Sequence, residues 1–319
     1  MLKDLDTSEI VRTVEEAIRR QRLEDPGTRS SRELLLGLGL IEDRSILNAA
    51  VVLFGKPERL RVRFPQCVLR MARFRGVTTA EFIDNRQEIG NAFDLFLRGQ
   101  RFFRDYLPVA GQIVPDRFER VDRPLYPPEA LREALANAIC HRDYRDGGGS
   151  VSIAIFDDRL EITSTGPLPF DQSVEELTRP HPSRPWNPLI ARAFYLRGII
   201  ETWGRGTLRI IELAQRAGLP TPEFEATRHS VTVRFRPSDV TAFPADQQLP
   251  VVQRRILTAL VELGPSSLSR IQSKIGQDVP SRTIQNNLRA LREQGLVHLS
   301  GSRRDARWSL APGGNPDEV

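Results

Sequence analysis

The chain has 319 residues, of which 39% are hydrophobic and 27% charged, and its formal net charge at pH 7 is +5. This length and composition predict two or three ordinary globular domains, without the long apolar run that a membrane span requires. The two cysteines, Cys67 and Cys140, form no C-x-x-C pair, which argues against zinc fingers and disulfides and indicates a reducing cytoplasm. Charged residues directly after Met1 argue against a secretory signal.

The amino-terminal part, residues 1–120, is predicted to be a mixed α/β region. Helical spacing of apolar residues predicts helices over residues 8–23 and 30–41. Short apolar runs predict strands over residues 48–56 and 67–76. A longer helix is predicted over residues 85–106, and its aromatic stripe is typical of a core-facing surface rather than of a cofactor site.

A proline-led helix begins near Pro127 and carries polar side chains at regular spacing. Glu133, Asn137 and His141 follow one another at i, i+4 steps and therefore share one face of this helix. Apolar residues, including Leu135, lie on another face that suits packing against a sheet. A carboxylate, an amide and an imidazole in one row indicate a functional site, and an amphipathic helix with a solvated face is the alternative.

Two later stretches carry glycine turns. Residues 160–163 alternate apolar and polar side chains like a half-buried strand, and Gly166 with two prolines ends that pattern. Gly204 and Gly206 directly precede a helical repeat of apolar residues. Glycines at a helix start let backbone N–H groups approach an anion, which the helix dipole also favours.

The order of these elements resembles the Bergerat (GHKL-type) ATP-binding fold of type II topoisomerases and sensor histidine kinases. The closer resemblance is to a divergent branch of that fold, the RecG-related carboxyl-terminal domain of transcriptional regulators associated with Schlafen-type, AlbA-like domains. The signature E-A-x-x-N-A-x-x-H-R-D-Y stands at residues 133–144, followed by D-D-R-L-E-I-T at 157–163, N-P-L-I-A at 187–191 and W-G-x-G at 203–206. By this resemblance we expect an ATP-binding domain over residues 121–237 and a chain that begins after the AlbA-like domain.

The resemblance implies ATP and Mg²⁺ as ligands. Asn137 would hold Mg²⁺ against the phosphates, and Glu133 would orient or deprotonate the attacking water. Ser164 stands where the wider fold has an aspartate on the adenine amino group, so an uncharged hydroxyl replaces a carboxylate. The candidate nucleotide-binding residues are Asn137, His141, Ser164, Gly166, Arg184, Asn187, Gly204, Arg205, Gly206 and Thr207.

Other nucleotide chemistries find no support in the sequence. A P-loop requires G-x-x-x-x-G-K-[ST], but Gly55 and Lys56 are followed by Pro57, so a P-loop helicase motor is not expected. The four histidines are scattered, which argues against a histidine-rich metal site. None of them lies on a helix typical of histidine-kinase phosphoacceptors.

The carboxyl-terminal part differs in charge from the rest of the chain. After a proline-containing linker, residues 238–250, the stretch from 250 to 312 holds ten Lys and Arg against four Asp and Glu. Its net charge of +6 exceeds the +5 of the whole chain. Helical spacing predicts three helices over residues 252–263, 267–276 and 280–295, then two strands around a basic turn and a tail at 313–319.

This module, residues 251–312, resembles a winged helix-turn-helix. The third helix would enter the major groove of double-stranded DNA, and the basic turn would contact phosphates. The candidate DNA-binding residues are Arg282, Gln285, Asn286, Arg289, Arg303, Arg304 and Arg307. A winged module used for protein contact is the alternative.

The sequence thus predicts an α+β protein with an amino-terminal α/β region, a Bergerat-type α/β sandwich and a winged helix-turn-helix. We expect a cytoplasmic, homodimeric transcriptional regulator whose nucleotide state biases DNA binding, with weak Mg²⁺-dependent ATPase activity at most. The alternatives are an ATPase in DNA transactions or defence against foreign DNA, and an interaction module with a degenerate pocket. A proline-rich lid over residues 171–188 would be ordered by nucleotide and change how two protomers pair.

Overall fold

The structure is a computed structural model, and it describes residues 2–107, 109–113, 120–168, 172–182, 184–201, 206–238, 249–276, 279–301 and 306–311. The chain divides into two compact units, Met1–Ala242 and Phe243–Val319. The boundary between them falls within the predicted linker. No described helix has both the length and the hydrophobicity that crossing a membrane would require.

Eleven α-helices and twelve β-strands lie in the described residues, which confirms the predicted α+β class. The helices are α1 (Thr7–Arg19), α2 (Ser31–Gly37), α3 (Asn48–Phe54), α4 (Pro57–Arg63), α5 (Ala92–Tyr106), α6 (Pro128–Cys140), α7 (Pro188–Leu196), α8 (Gly206–Arg216), α9 (Val251–Leu263), α10 (Leu268–Ile275) and α11 (Ser281–Glu293). The strands are β1 (Ile41–Glu42), β2 (Ser45–Ile46), β3 (Val68–Phe74), β4 (Phe82–Ile89), β5 (Val109–Ile113), β6 (Arg120–Pro124), β7 (Val151–Ile155), β8 (Leu160–Thr165), β9 (Glu223–Ala226), β10 (Ser230–Phe235), β11 (Val297–Ser300) and β12 (Arg307–Leu310).

A six-stranded mixed sheet in the order β4-β3-β7-β8-β10-β9 forms the centre of the first unit. Among the strands that the structure describes, only β3 and β7 pair in parallel, and their connection contains α5 and α6, because two parallel strands require a crossover. The two strands from before residue 120 therefore share one sheet with the strands that follow it. The β5–β6 hairpin lies within the same connection.

Helices cover one face of this sheet and place α6 across its middle strands. Met71, Ile153, Ile162 and Val233 stand opposite one another on neighbouring strands, and all four are buried. Leu135 of α6 is also fully buried, as the apolar stripe of that helix predicts. The polar row of α6 lies on a different face of the helix from this apolar stripe.

Two predicted elements of the amino-terminal region are wrong. The apolar run at residues 48–54 is the helix α3, not a strand, and Val52, Leu53 and Phe54 are buried in it. The predicted helix over 85–106 begins only at Ala92, after the strand β4. Asn91 causes this break, because its side chain accepts a hydrogen bond from the N–H of Asp94 and caps the helix.

The second unit has three helices followed by a two-stranded antiparallel hairpin, in the predicted order. Its core contains Ile256, Ile271, Ile284 and Leu288, each with no exposed surface. Trp308 of β12 exchanges two backbone hydrogen bonds, of 2.8 and 2.9 Å, with Ser266. These bonds attach the hairpin to the segment that joins α9 to α10.

Candidate functional site

The polar face of α6 borders a cavity of about 140 Å³ in the first unit. Glu133 and Asn137 point into this cavity from the helix, and His141 does so from the residue that caps its carboxyl end. The remaining walls come from β8, β9, β10, the start of α8 and the segment before α7. The spacing predicted from the sequence therefore brings these three side chains into one cavity.

Helix α8 begins in close contact with the polar row of α6. A Cβ atom added to Gly206 would lie 2.7 Å from Oε1 of Glu133 and 3.1 Å from Nδ2 of Asn137. Both distances are shorter than ordinary van der Waals contact, so any side chain at this position would displace the polar row. Glycine is required here for close approach rather than for an unusual backbone angle.

Glu133 is a buried carboxylate, with 9% of its surface exposed. Burial raises its pKa above the ordinary value of 4.5, because the charged form loses hydration, while the nearby arginines Arg132 and Arg209 oppose this shift. Among the described residues its carboxylate has no hydrogen-bond partner. Such a group binds a proton or a cation more readily than an exposed glutamate does.

The surroundings of two further polar side chains in the cavity fix the hydrogen bonding of Ser164 and the protonation of His141. The hydroxyl of Ser164 on β8 donates a hydrogen bond of 2.9 Å to the carbonyl of Ala138 on α6. Its oxygen can therefore only accept a hydrogen bond from a ligand. Burial lowers the pKa of His141 to about 4, so this imidazole is neutral at pH 7.

Thr207 and Arg184 also line the cavity. The Oγ1 atom of Thr207 is buried and has no hydrogen-bond partner within the described part of the chain. A buried hydroxyl of this kind is costly unless a ligand satisfies it. Arg184 is exposed at the cavity and supplies the positive charge that an anionic ligand would require.

The other predicted nucleotide-binding residues lie elsewhere. Asn187 donates two hydrogen bonds from its amide, to the carbonyls of Cys140 at 2.9 Å and Arg142 at 2.8 Å. Asn187 thus ties α7 to the end of α6 and is not among the described residues that line the cavity. Gly166, with a φ of +119°, is likewise outside the cavity wall, and a Cβ atom added there would lie 2.9 Å from the Cβ of Asp143. Gly204 and Arg205 lie outside the described residues.

Residues 148–235 match the protein family described as "Putative ATP-dependent DNA helicase recG C-terminal". The match supports an ATPase-like domain. It covers the strands β7 to β10 and helix α8, and it begins after the end of α6. The mixed sheet with α6 packed on it is consistent with a GHKL-like α/β ATPase domain. No functionally curated protein matches the chain.

Among solved structures, the chain is similar to the crystal structure of the DIP2311 protein from Corynebacterium diphtheriae, with a TM-score of 0.59 and 17% sequence identity. The likeness covers 97% of this chain and 62% of that one, so this chain spans less than two thirds of the other protein's length. At this identity the likeness shows the fold alone.

Several cavity residues were not predicted from the sequence. Leu177 and His181 enter the cavity from the predicted lid, and Glu201 does so from the segment before α8. His181 accounts for part of the lowered pKa of His141. The proline-rich character of the lid segment was the signal in the sequence that this segment borders the site. Asp171, the first residue of the predicted lid, lies outside the described residues.

The predicted DNA-binding residues of the second unit are exposed where the structure describes them. Arg282, Gln285, Asn286 and Arg289 are exposed on α11, opposite its buried residues. Arg307 is exposed at the start of β12. Arg303 and Arg304 lie outside the described residues.

Proposed function

We propose that the cavity beside α6 binds ATP together with Mg²⁺. The observation that carries this proposal is the contact of Gly206, the first residue of an eleven-residue helix, with Glu133 and Asn137. A helix start presents free N–H groups and a positive dipole end, which favour phosphate, while the oxygen atoms of Glu133 and Asn137 favour a hard cation. The site can therefore bind an anionic phosphate and a metal cation next to each other.

The residues present fit this pair of ligands. The amide oxygen of Asn137 and the carboxylate of Glu133 are of the type that Mg²⁺ takes, and the unpartnered hydroxyl of Thr207 offers a hydrogen bond to a phosphate oxygen. Arg184 would add positive charge against the phosphates. When bound, Mg²⁺ would neutralise part of the phosphate charge.

Ser164 supports a purine that carries an amino group. Because its proton is committed to Ala138, the hydroxyl oxygen can accept from an amino group but cannot donate to a carbonyl. Adenine presents an amino group where guanine presents a carbonyl. We therefore propose adenine as the base.

Titration calorimetry with ATP and Mg²⁺ tests the site. Asn137→Ala should weaken binding by about tenfold or more, which corresponds to about 1.4 kcal/mol or more. Asn85→Ala, an exposed asparagine on β4, is the matched control and should bind as the wild type does. Equal affinity of wild type and Asn137→Ala would show that the nucleotide binds elsewhere or not at all.

The raised pKa of Glu133 favours a second candidate function, ATP hydrolysis. The carboxylate would accept a proton from water as the water oxygen bonds to the terminal phosphorus and the bond to the departing ADP oxygen breaks. Glu133→Gln should still bind ATP, weakened by no more than about tenfold to a hundredfold because one charged contact is lost, and at saturating ATP it should release no phosphate. Retained turnover in this variant would exclude Glu133 as the base.

For the second unit we propose a winged helix-turn-helix that binds double-stranded DNA. The support is the order of three helices and a hairpin, the exposed polar face of α11 and the net charge of +6 over residues 250–312. Arginine and asparagine read guanine and adenine edges in the major groove, and Arg307 would contact phosphate. The RecG-related family match also suggests association with DNA.

Fluorescence anisotropy with labelled duplex DNA tests this surface in the full chain. Affinity should fall steeply with salt, since lysine and arginine displace condensed counterions. Arg307→Ala should weaken binding to all sequences, whereas Asn286→Ala should relax sequence preference by about 1–3 kcal/mol at one base. Arg101→Ala, an exposed arginine of α5, is the control. Binding that is insensitive to salt would instead favour a protein-contact module.

We propose that these two activities belong to a homodimeric transcriptional regulator in which nucleotide biases DNA binding. Such coupling is reciprocal, so ATP and operator DNA must change each other's affinity by the same factor. Operator affinity is measured with and without a saturating non-hydrolysable ATP analogue at matched salt. Turnover that DNA stimulates, without sequence-selective binding, would favour an ATPase of DNA transactions or defence.

A further inference from the structure

Residues 198–201, which follow shortly after α7, form one wall of the cavity. Ile200 and Glu201 of this segment line the cavity. Arg132 of α6 supports it from one side, donating hydrogen bonds from Nη2 to the carbonyls of Gly198 at 2.7 Å and Ile199 at 2.8 Å. The course of this wall is therefore set by side chains that reach it from other elements.

Arg22 also supports this wall. Its Nη2 lies 2.9 and 3.2 Å from the two carboxylate oxygens of Glu201, and its Nη1 donates to the carbonyls of Tyr195 and Ile200. The guanidinium also lies 4.2 Å from the centre of the Tyr195 ring. A planar guanidinium suits this combination of an ion pair, carbonyl contacts and stacking better than a lysine would.

The end of α1 holds Arg22 in this position. Gln21, with a φ of +57°, adopts the left-handed conformation, and the N–H of Arg22 donates to the carbonyl of Ala17 at 2.9 Å. This is the hydrogen-bond pattern of a helix end closed by a left-handed residue. Arg22 therefore reaches the cavity wall from an ordered helix end.

A second ion-pair cluster fixes α1 itself to the start of the wall. The guanidinium of Arg197, only 6% exposed, pairs with Glu16 at 2.9 Å and with Glu9. Gly198 has a φ of +66°, and a Cβ atom there would lie 2.6 Å from the guanidinium of Arg20. Helix α1 and the segment after α7 thus meet through buried charge and a glycine that permits close approach.

We propose that Arg22, which does not line the cavity, is a positioning residue that sets nucleotide affinity by neutralising and holding Glu201. This inference rests on the proposed binding of an anionic nucleotide. Glu201 places a carboxylate beside the cavity, where it would repel phosphate oxygens. The ion pair with Arg22, in which Nη2 contacts both carboxylate oxygens, compensates that charge and holds the carboxylate close to the end of α1. The amino-terminal helix thereby becomes part of the nucleotide site through one ion pair.

Binding of ATP, ADP and adenosine by the full chain, measured by titration calorimetry with Mg²⁺, tests the proposal. The Glu201 side chain is 61% exposed, so solvent screens its charge. Arg22→Ala should therefore weaken ATP binding by about threefold to fivefold, ADP binding less, and adenosine binding not at all, because the repulsion grows with ligand charge. Arg19→Ala, an exposed arginine at the end of the same helix, is the matched control and should leave all three affinities unchanged.

Two further variants separate charge compensation from a structural effect. Glu201→Gln preserves the hydrogen bonds of Arg22 to Tyr195 and Ile200, and it should tighten ATP binding, because the arginine charge is no longer compensated. In the Arg22→Ala background, Glu201→Gln should restore ATP affinity to within about twofold of the wild type. A wall that had merely collapsed would not be rescued in this way.

The outcomes distinguish the two proposals. If the wild-type chain binds neither ATP nor ADP, both the proposed function and this inference fail. If the wild type binds ATP but Arg22→Ala loses ATP and adenosine binding equally, or Glu201→Gln rescues nothing, the inference alone is overturned. Unchanged ATP affinity in both single variants would also overturn the inference about Arg22. If Arg22→Ala fails to fold, the ATP affinity of Glu201→Gln alone tests the inference, which predicts tighter binding.

Discussion

Replacing Gly206 with alanine tests the close approach of α8 to α6 on which the candidate site depends. The new Cβ atom would lie 2.7 Å from Oε1 of Glu133, roughly 0.7 Å inside the 3.4 Å at which ordinary contact begins. The nearest atom is the end of a flexible side chain, so the carboxylate rather than the backbone will move. Alanine at this first helical position should gain less than the about 0.5–1 kcal/mol by which it is favoured over glycine inside a helix.

The substitution should therefore separate stability from binding. The free energy of unfolding should change by less than about 1 kcal/mol, since overpacking at the carboxylate and the gain in helix propensity oppose each other. Affinity for Mg-ATP should fall by about tenfold to a hundredfold, because losing one charged contact costs about 1.5–3 kcal/mol. Chemical denaturation and titration calorimetry on one preparation measure both quantities.

Gly37→Ala is the matched control, because Gly37 also lies in a helix and nothing stands within 4 Å of an added Cβ atom there. This variant should bind nucleotide as the wild type does. In a Glu133→Ala background, Gly206→Ala should cost little additional affinity, because the atom it displaces is gone. Full nucleotide affinity in Gly206→Ala alone would refute the view that this contact forms the site.

Three other predictions concern stability and the cavity. Gln21→Gly should raise the free energy of unfolding by up to about 1 kcal/mol in chemical denaturation, since the left-handed conformation costs a non-glycine residue about that much. Thr207→Val should leave stability without ligand unchanged or higher and weaken ATP binding in calorimetry, because its unpartnered hydroxyl is lost. Because burial lowers the pKa of His141 to about 4 in the folded state, the unfolded chain binds a proton at this residue more readily. The free energy of unfolding should therefore fall as pH drops from 6.5 towards 4. His141→Gln should remove up to about 3 kcal/mol of that loss in pH-dependent melting, whereas the exposed His229→Gln should not.

Local periodicity was sufficient to predict α6 and its polar row. Side chains four residues apart lie on one face of any helix, so Glu133 and Asn137 lie on the same face of α6 regardless of their surroundings. The alternation at β8 and the helical repeat of α11 were equally readable, because one face of each is buried and the other is not.

The sequence alone did not determine whether short apolar runs form helices or strands. The stretch from Asn48 to Phe54 is apolar at most positions, and a buried helix and a buried strand look the same over seven residues. The cap at Asn91 was a readable signal for the start of α5, but the aromatic stripe that continues through that helix concealed it.

Only the tertiary structure decided which distant residues complete the cavity. The ion pair between Arg22 and Glu201 joins positions 179 residues apart, and no local pattern marks either partner. The commitment of the Ser164 proton to Ala138 also depends on how β8 packs against α6. Such contacts arise because the sheet order brings separate parts of the chain together, which periodicity along the chain does not encode.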